Sequence, residues 1–345
     1  MMPIYIAGMG CSIPKERLTN QELIKTLDTS EEWIEAHTGI LERRRANTEV
    51  DTSDLGVDAT RSALAAARWP REELELLICA TCTPDTQVPS TAALIGRKLG
   101  IDPICFDLNA ACSGFVFGLA TAASMMAHMG FRRAALCNAE KFTKVTDYQD
   151  RRSAIFFGDS SATVLLERER PAVGFEIVDL ALASCNEGTE YVQIPLGGYF
   201  VQDGRKVKDY ALRHFYRSAS EILERNDVRP KDLRAFVGHQ ANLRLLEQVV
   251  NRLGLSEEQH WSNVRWIGNQ GSAGVITTFC TRVAQRATQL DKGDLFLLTV
   301  FGAGFTSGSV LLRWVGESQR TNQVARASEL AVEPPSQAAA VAAGP

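Results

Sequence analysis

Cys112 sits in the run LNAACSGFVFGL, where a short strand-like segment turns into an apolar helix-like one. A thiol at a helix entry meets unpaired backbone N–H groups and the positive end of the helix dipole, and both favour the nucleophilic thiolate. Ala110, Ala111, Ser113 and Gly114 leave room for a substrate to approach it. The same sequence also suits a small buried residue at a tight helix entry, so partners must decide. Of the five histidines, His128 and His214 fall in helical patterns, His260 in a polar turn and His37 in the surface-type stretch EEWIEAHTGILERR. Only His239 follows an apolar strand (RAFVG) and enters a turn, where a base or a hydrogen-bond donor is displayed; a satisfied structural histidine is the alternative. Asn269, in IGNQGSAG, is on its own an ordinary turn residue.

A repetition in the chain places these three residues. In the first half a helical stretch (about 53–67) leads through PREEL to the strand ELLICATC; in the second, the helical stretch 210–225 leads through RPKDL to RAFVGHQAN. Each strand is followed by a helix that stops at a glycine (STAALIGRKLG and NLRLLEQVVNRLG), then by a short strand, a small-residue turn and a second helix (CFDLNAACSGFVFGL and SNVRWIGNQGSAGVITTF). The strands RRAALCNAE and GDLFLLTVF follow, and each half closes with a Gly-rich hairpin and an apolar strand, FGDSSATVLLE and FGAGFTSGSVLLRW. Cys82 precedes Cys112 by 30 residues, and His239 precedes Asn269 by 30. Strands alternating with helices predict mixed or parallel sheets covered on both faces, with two halves around a pseudo-twofold axis. Sites in such folds form at the carboxyl ends of strands, which is where Cys112, His239, Asn269 and the loop 301–308 fall.

The chain has 345 residues, room for two core-bearing units, and its 45% hydrophobic and 23% charged residues are an ordinary globular balance. A net charge of −4 gives no bulk reason to expect nucleic acid. The start MMPIYIAGMGCSIP lacks the basic segment of a signal peptide, and no apolar stretch is expected to span a membrane. Eight scattered cysteines suit reduced thiols in the cytoplasm better than a disulfide framework. Cys79 and Cys82 form a CxxC without the second pair or histidine cluster that zinc needs, so both are expected to pack as core. The expected organisation is an N-terminal half, 1–168, carrying the cysteine, a C-terminal half, 169–316, carrying His239 and Asn269, and a disordered tail, 317–345.

Taken together, NAACSGF, GHQANLR, GNQGSAG and FGAGFTSGS, with the ordered TSEEWI, TGILERR and FGDSSATVLLE, resemble the β-ketoacyl-ACP synthase III family over residues 3–315. The resemblance implies an α/β, thiolase-like fold of duplicated αβ units in an αβαβα arrangement. It also implies acyl transfer to Cys112, then decarboxylative condensation with a malonyl thioester on acyl carrier protein. His239 and Asn269 would hydrogen-bond the malonyl carbonyl, the N–H groups of Cys112 and Ala303 would form a second oxyanion site, and Phe301 would pack against the malonyl pocket. Trp33 and Arg151 would hold the adenine of coenzyme A, Arg244 would lie on the rim facing a phosphopantetheine phosphate or acidic carrier protein, and Val88 would help to cap the primer pocket across a homodimer. Acyl-CoA or acyl-carrier protein is implied as substrate, with no tightly bound cofactor and no metal.

The chain departs from the family pattern at several places. His37 stands where an arginine is common, Gly238 where a proline is usual, and Ala303 where a third glycine is usual. Gln270, Gly271, Ser272, Ala273 and Gly274 follow Asn269 in place of Thr-Ser-Ala-Ala-Ser, and Val88 stands where relatives carry a bulky aromatic. These changes point to a specialised relative, of polyketide or other secondary metabolism, with a primer longer than acetyl. The alternatives are a non-decarboxylating acyltransferase or Claisen-type ligase acting through acyl-Cys112, and a silent partner subunit. A thiolase proper would need a second catalytic cysteine that FGAGFTSGS lacks, and a nucleotide-binding module would need a Gly-rich phosphate loop.

Overall fold

The computed structural model describes residues 3–316, so the expectation for the tail lies outside the described residues. Nine strands form one mixed sheet: β1 Tyr5–Ser12, β2 Leu76–Ala80, β3 Ile104–Leu108, β4 Arg133–Lys141, β5 Asp159–Glu167, β6 Phe175–Ser184, β7 Leu233–Gly238, β8 Leu295–Gly302 and β9 Thr306–Trp314. Seven helices of eight residues or more accompany it among the described residues: α1 Glu31–Thr38, α2 Thr52–Ala67, α3 Thr91–Leu99, α4 Gly114–Met129, α5 Gly204–Arg225, α6 Leu243–Leu253 and α7 Ala273–Arg286. The strand order is β7-β8-β9-β6-β1-β5-β4-β2-β3. Read outward from the middle, β1-β5-β4-β2 on one side mirrors β6-β9-β8-β7 on the other, which is the duplication expected from the sequence. Within the sheet the halves meet where Tyr5 and Ile6 pair with Glu176 and Phe175.

The strands alternate in which layer they feed, as a period of two requires. In β2, Leu76, Ile78 and Ala80 face a central core shared with α4 and α7, while Leu77 and Cys79 face α2 and α3. In β8, Phe296, Leu298 and Val300 face the same central core, and Leu297 and Phe301 face α5 and α6. Near-continuous apolar strands buried on both faces, with α4 and α7 between them, give the five layers. Both predicted helix stops are present: Gly100 and Gly254 end α3 and α6 in the left-handed conformation, at φ 70° and 71°.

Four expectations are corrected. The second half has no counterpart of β3: Val264–Ile267 is one helical turn, and pairing there shrinks to a single parallel bridge between Phe236 and His260. The polar run SEEQHWSN holds too few apolar residues to build a covered strand. The connection between β4 and β5 is not a tight hairpin but residues 142–158, with two short helical turns. The stretch Ala111–Met129 is long and apolar enough to cross a membrane by length and composition alone, although it is the central helix of this fold. Cys79 is core as expected, but Cys82 leaves the strand and faces a cavity beside Cys112.

Candidate active site

Between β3 and α4 the chain makes a tight turn. Asn109 Oδ1 accepts the Ala111 N–H at 3.0 Å, Ala111 takes φ 49°, and a 3-10 turn over Ala111–Ser113 runs into α4. The β8–β9 connection is stitched to this turn: Ser113 Oγ donates to Thr306 O at 3.1 Å, and Thr306 Oγ1 to Ala110 O at 3.3 Å. Gly302 is required here, because a Cβ on it would lie 2.9 Å from the backbone nitrogens of both Cys112 and Ser113. This close approach brings Ala303 beside Cys112. The pull toward the thiolate expected from the helix entry is outweighed. Burial, and next the nearby Glu140, push the Cys112 thiol up to about 12, against the pull of its own N–H. Resting Cys112 is a neutral thiol, and its proton must leave as the sulfur attacks.

His239 follows β7, its N–H donating to Thr299 O at 2.9 Å and its carbonyl accepting from Ala241 N–H at 2.8 Å. His239 is 6% exposed, and burial pulls its pKa down from 6.5 to about 4, so the ring is neutral at pH 7. The preceding Gly238 leaves no room for a side chain, since a Cβ would come within 2.4 Å of Leu246 and 2.6 Å of Phe215.

Asn269 is held by its backbone between Phe156 O (2.8 Å) and Gly158 N–H (2.9 Å). Its Oδ1 accepts the Gly271 N–H at 3.0 Å, which leaves the amide NH2 as the group free to donate outward. Gln270 turns away into the core, taking Ser160 Oγ at 2.8 Å and donating to Asn263 Oδ1 at 3.1 Å. The altered residue after Asn269 is therefore an internal brace and adds nothing to the cavity wall.

Cys112, His239 and Asn269 open on one cavity of about 870 Å³, together with Phe301, Gly302 and Ala303. Its other walls are largely apolar and include Phe142, Val145, Phe157, the segment 192–200, Val207 and Phe215. Phe301 stacks on Phe305 (5.5 Å between centroids), and Phe305 on Tyr210 (4.4 Å), so the wall behind Phe301 is a run of rings.

The residues expected to hold coenzyme A lie apart from the cavity wall, as does Val88. Trp33 and Arg151 do meet, with the guanidinium carbon 5.4 Å from the ring centroid. His37 stacks on the same ring at 4.1 Å. Arg244 Nη2 donates to Glu35 O of α1 at 3.3 Å, and Asn242 Nδ2 to His37 O at 3.0 Å, which docks α1 on the entry of α6. Val88 is 82% exposed in the single chain.

Sequence reading missed Cys82, Glu140 and the segment 192–200. Thr81 breaks the strand pattern just before Cys82, a usable sign that the chain turns there. The acid ending the apolar run AALCNAE was the available sign for Glu140, and the mixed run 192–200 carries no periodicity to read.

Residues 106–185 match the family described as 3-Oxoacyl-[acyl-carrier-protein (ACP)] synthase III, and residues 223–314 match its C-terminal counterpart. A β-ketoacyl-[acyl-carrier-protein] synthase III of Streptomyces coelicolor is 35% identical over 325 residues, covering 90% of this chain and 96% of the relative. The crystal structure of 3-oxoacyl-[acyl-carrier-protein] synthase III from Aquifex aeolicus superposes with a TM-score of 0.84 at 33% identity, over 90% of this chain and 99% of that one. The priming β-ketosynthase of a polyketide biosynthetic pathway superposes at 0.83 with 30% identity, over 91% and 97%. With Cys112 and Asn269 at equivalent turns of a duplicated fold and His239 on the same cavity, the chain belongs to the 3-oxoacyl-[acyl-carrier-protein] synthase III family of condensing enzymes.

Proposed function

We propose that the protein joins an acyl chain, carried on Cys112, to a malonyl unit held on acyl carrier protein. The observation that carries this reading is the meeting of Cys112, His239 and Asn269 on one largely apolar cavity. In the first half-reaction the Cys112 sulfur attacks an acyl thioester, the carrier thiol leaves, and negative charge passes through the carbonyl oxygen beside the N–H groups of Cys112 and Ala303. In the second, the malonyl thioester carbonyl lies against neutral His239 and the Asn269 amide NH2. Loss of carbon dioxide leaves an enolate there, the enolate carbon attacks the acyl-Cys112 carbonyl, the Cys112 sulfur leaves as a thiolate, and a proton from water regenerates the thiol. A neutral histidine donating one hydrogen bond suits an enolate better than an imidazolium. The ring of Phe301, which lines the cavity, favours loss of the charged carboxylate by offering it no solvation.

The cavity size and its apolar walls support a primer longer than acetyl, as do Val88 in place of a bulky aromatic and the likeness to a polyketide priming enzyme. The Trp33–Arg151 pair supports an adenine-stacking site at the cavity approach, and Arg244 a contact for phosphopantetheine or carrier protein. Exposed Val88 fits a homodimer in which it reaches the partner's primer pocket. The reading includes a cytoplasmic enzyme with two halves, 1–168 and 169–316. Profiling acyl-CoA donors of increasing length, with malonyl-carrier protein as acceptor, tests it. Turnover is expected to peak at a donor longer than acetyl, and a clear preference for acetyl-CoA would reject the primer assignment.

A further inference from the structure

Glu140, the penultimate residue of β4, is completely buried and does not line the cavity. A buried carboxylate is costly unless its oxygens are filled with hydrogen bonds, and here both are. Oε2 accepts from the Cys82 N–H at 3.0 Å, Thr83 Oγ1 at 2.9 Å and Thr81 Oγ1 at 3.3 Å. Oε1 accepts from Ser272 Oγ at 2.8 Å and from the Ser272 N–H at 3.3 Å. One oxygen thus holds the wall that carries Cys82, in the first half. The other holds the end of the turn that carries Asn269, in the second half.

That turn is pressed directly on the carboxylate. Gly271 has φ 53°, and a Cβ there would lie 3.1 Å from Glu140 Oε1 and 2.2 Å from the Phe142 ring. Ser272 Oγ also lies 3.2 Å from Ala80 O, and the helix entry behind Cys112 packs on the same serine, a Cβ on Gly114 falling 3.1 Å from its Cβ. The Gly271 N–H, adjacent to Ser272, is what fixes Asn269 Oδ1. A continuous path therefore runs from Glu140 through Ser272 and Gly271 to the Asn269 amide.

We propose that Glu140 is a positioning residue for the malonyl half-reaction: it ties the Asn269 turn to the wall behind Cys112 and so fixes the direction of the Asn269 NH2. This rests on the role proposed above for Asn269. Glutamine at 140 keeps the shape but presents an NH2 to a set of donors, so one of the two ties is lost whichever way the amide turns. Misplacing a catalytic group by about 1 Å costs on the order of a hundredfold, and a partial release costs about tenfold.

The experiment measures the half-reactions separately: the rate of Cys112 acylation by intact mass, and the kcat and KM of malonyl-carrier-protein decarboxylation by carbon dioxide release. Glu140→Gln is expected to lower the decarboxylation kcat about tenfold with KM within about threefold and acylation not slowed by more than about threefold, since removing the Glu140 charge eases ionisation of Cys112, and Ser272→Ala to lower the same kcat by a smaller factor. Should Glu140→Gln fail to fold, Ser272→Ala carries the test alone. Decarboxylation unchanged in the variants, or both half-reactions falling together, overturns the inference. Asn269→Ala, run alongside, separates the two ideas. If it spares decarboxylation, the reading of Asn269 falls; if it abolishes decarboxylation while the other variants do not, only the role of Glu140 falls.

Discussion

Gly302→Ala isolates the oxyanion site proposed beside Cys112. Gly302 has φ −141° and ψ 170°, extended backbone that alanine adopts without strain, so the substitution acts only through the methyl group it adds. That methyl would sit 2.9 Å from the nitrogens of Cys112 and Ser113, closer than side-chain carbons approach backbone, and also 3.1 Å from Ser113 Oγ. Neither nitrogen belongs to a flexible group, so the 302–303 loop must move away by several tenths of an ångström. Overpacking of this kind costs about 1–3 kcal/mol of stability. The effect on chemistry is larger in proportion, because the Ala303 N–H moves off the position of the developing oxyanion. Loss of one such donor costs about a hundred- to a thousandfold. Acylation of Cys112 is expected to slow about thirtyfold or more, allowing for partial relaxation. Time-resolved intact mass after mixing with acyl-CoA measures the rate, and thermal melting checks that the protein is folded. A folded Gly302→Ala protein that acylates within threefold of wild type would refute the reasoning.

Two further outcomes follow from the electrostatics. His239 has its pKa lowered from 6.5 to about 4, so below pH 6.5 the unfolded chain takes up a proton that the folded protein refuses. Stability tied to this residue is complete above pH 6.5 and is lost as pH falls toward 4, by up to about 3 kcal/mol. Urea unfolding at pH 7.5 and pH 4.5 should show a smaller acid loss in His239→Gln than in wild type, and equal losses would contradict the burial argument. Cys112, pushed up to about 12, should be alkylated by iodoacetamide at a rate that still rises at pH 9.5. A plateau below pH 8 would mean that the helix entry stabilises the thiolate after all.

The parts of the fold that rest on local rules were readable from sequence. Apolar strand runs and helices closed by Gly100 and Gly254 repeat in both halves, and equal spacing placed Cys112 with Asn269 and Cys82 with His239. What escaped depends on neighbours far along the chain. Glu140 looks like a strand end bound for water, and only the fold brings Ser272, over a hundred residues away, onto its second oxygen. The Cys112 thiol was read from its helix entry alone. Its surroundings include the buried Glu140, which local sequence does not reveal. Gln270 looked like a change in the active site and is a core brace, because direction within a turn is set by packing against Ser160 and Asn263.

The most direct test of the central claim follows the fate of one acyl group. The protein is loaded from a panel of acyl-CoAs and then mixed with malonyl-carrier protein, with intact mass and carbon dioxide recorded together and Cys112→Ala as control. The account predicts an acyl adduct that requires Cys112 and disappears on addition of malonyl-carrier protein, with one carbon dioxide released for each β-keto product. An adduct that survives that addition without carbon dioxide release, or one that forms equally on Cys112→Ala, would contradict it.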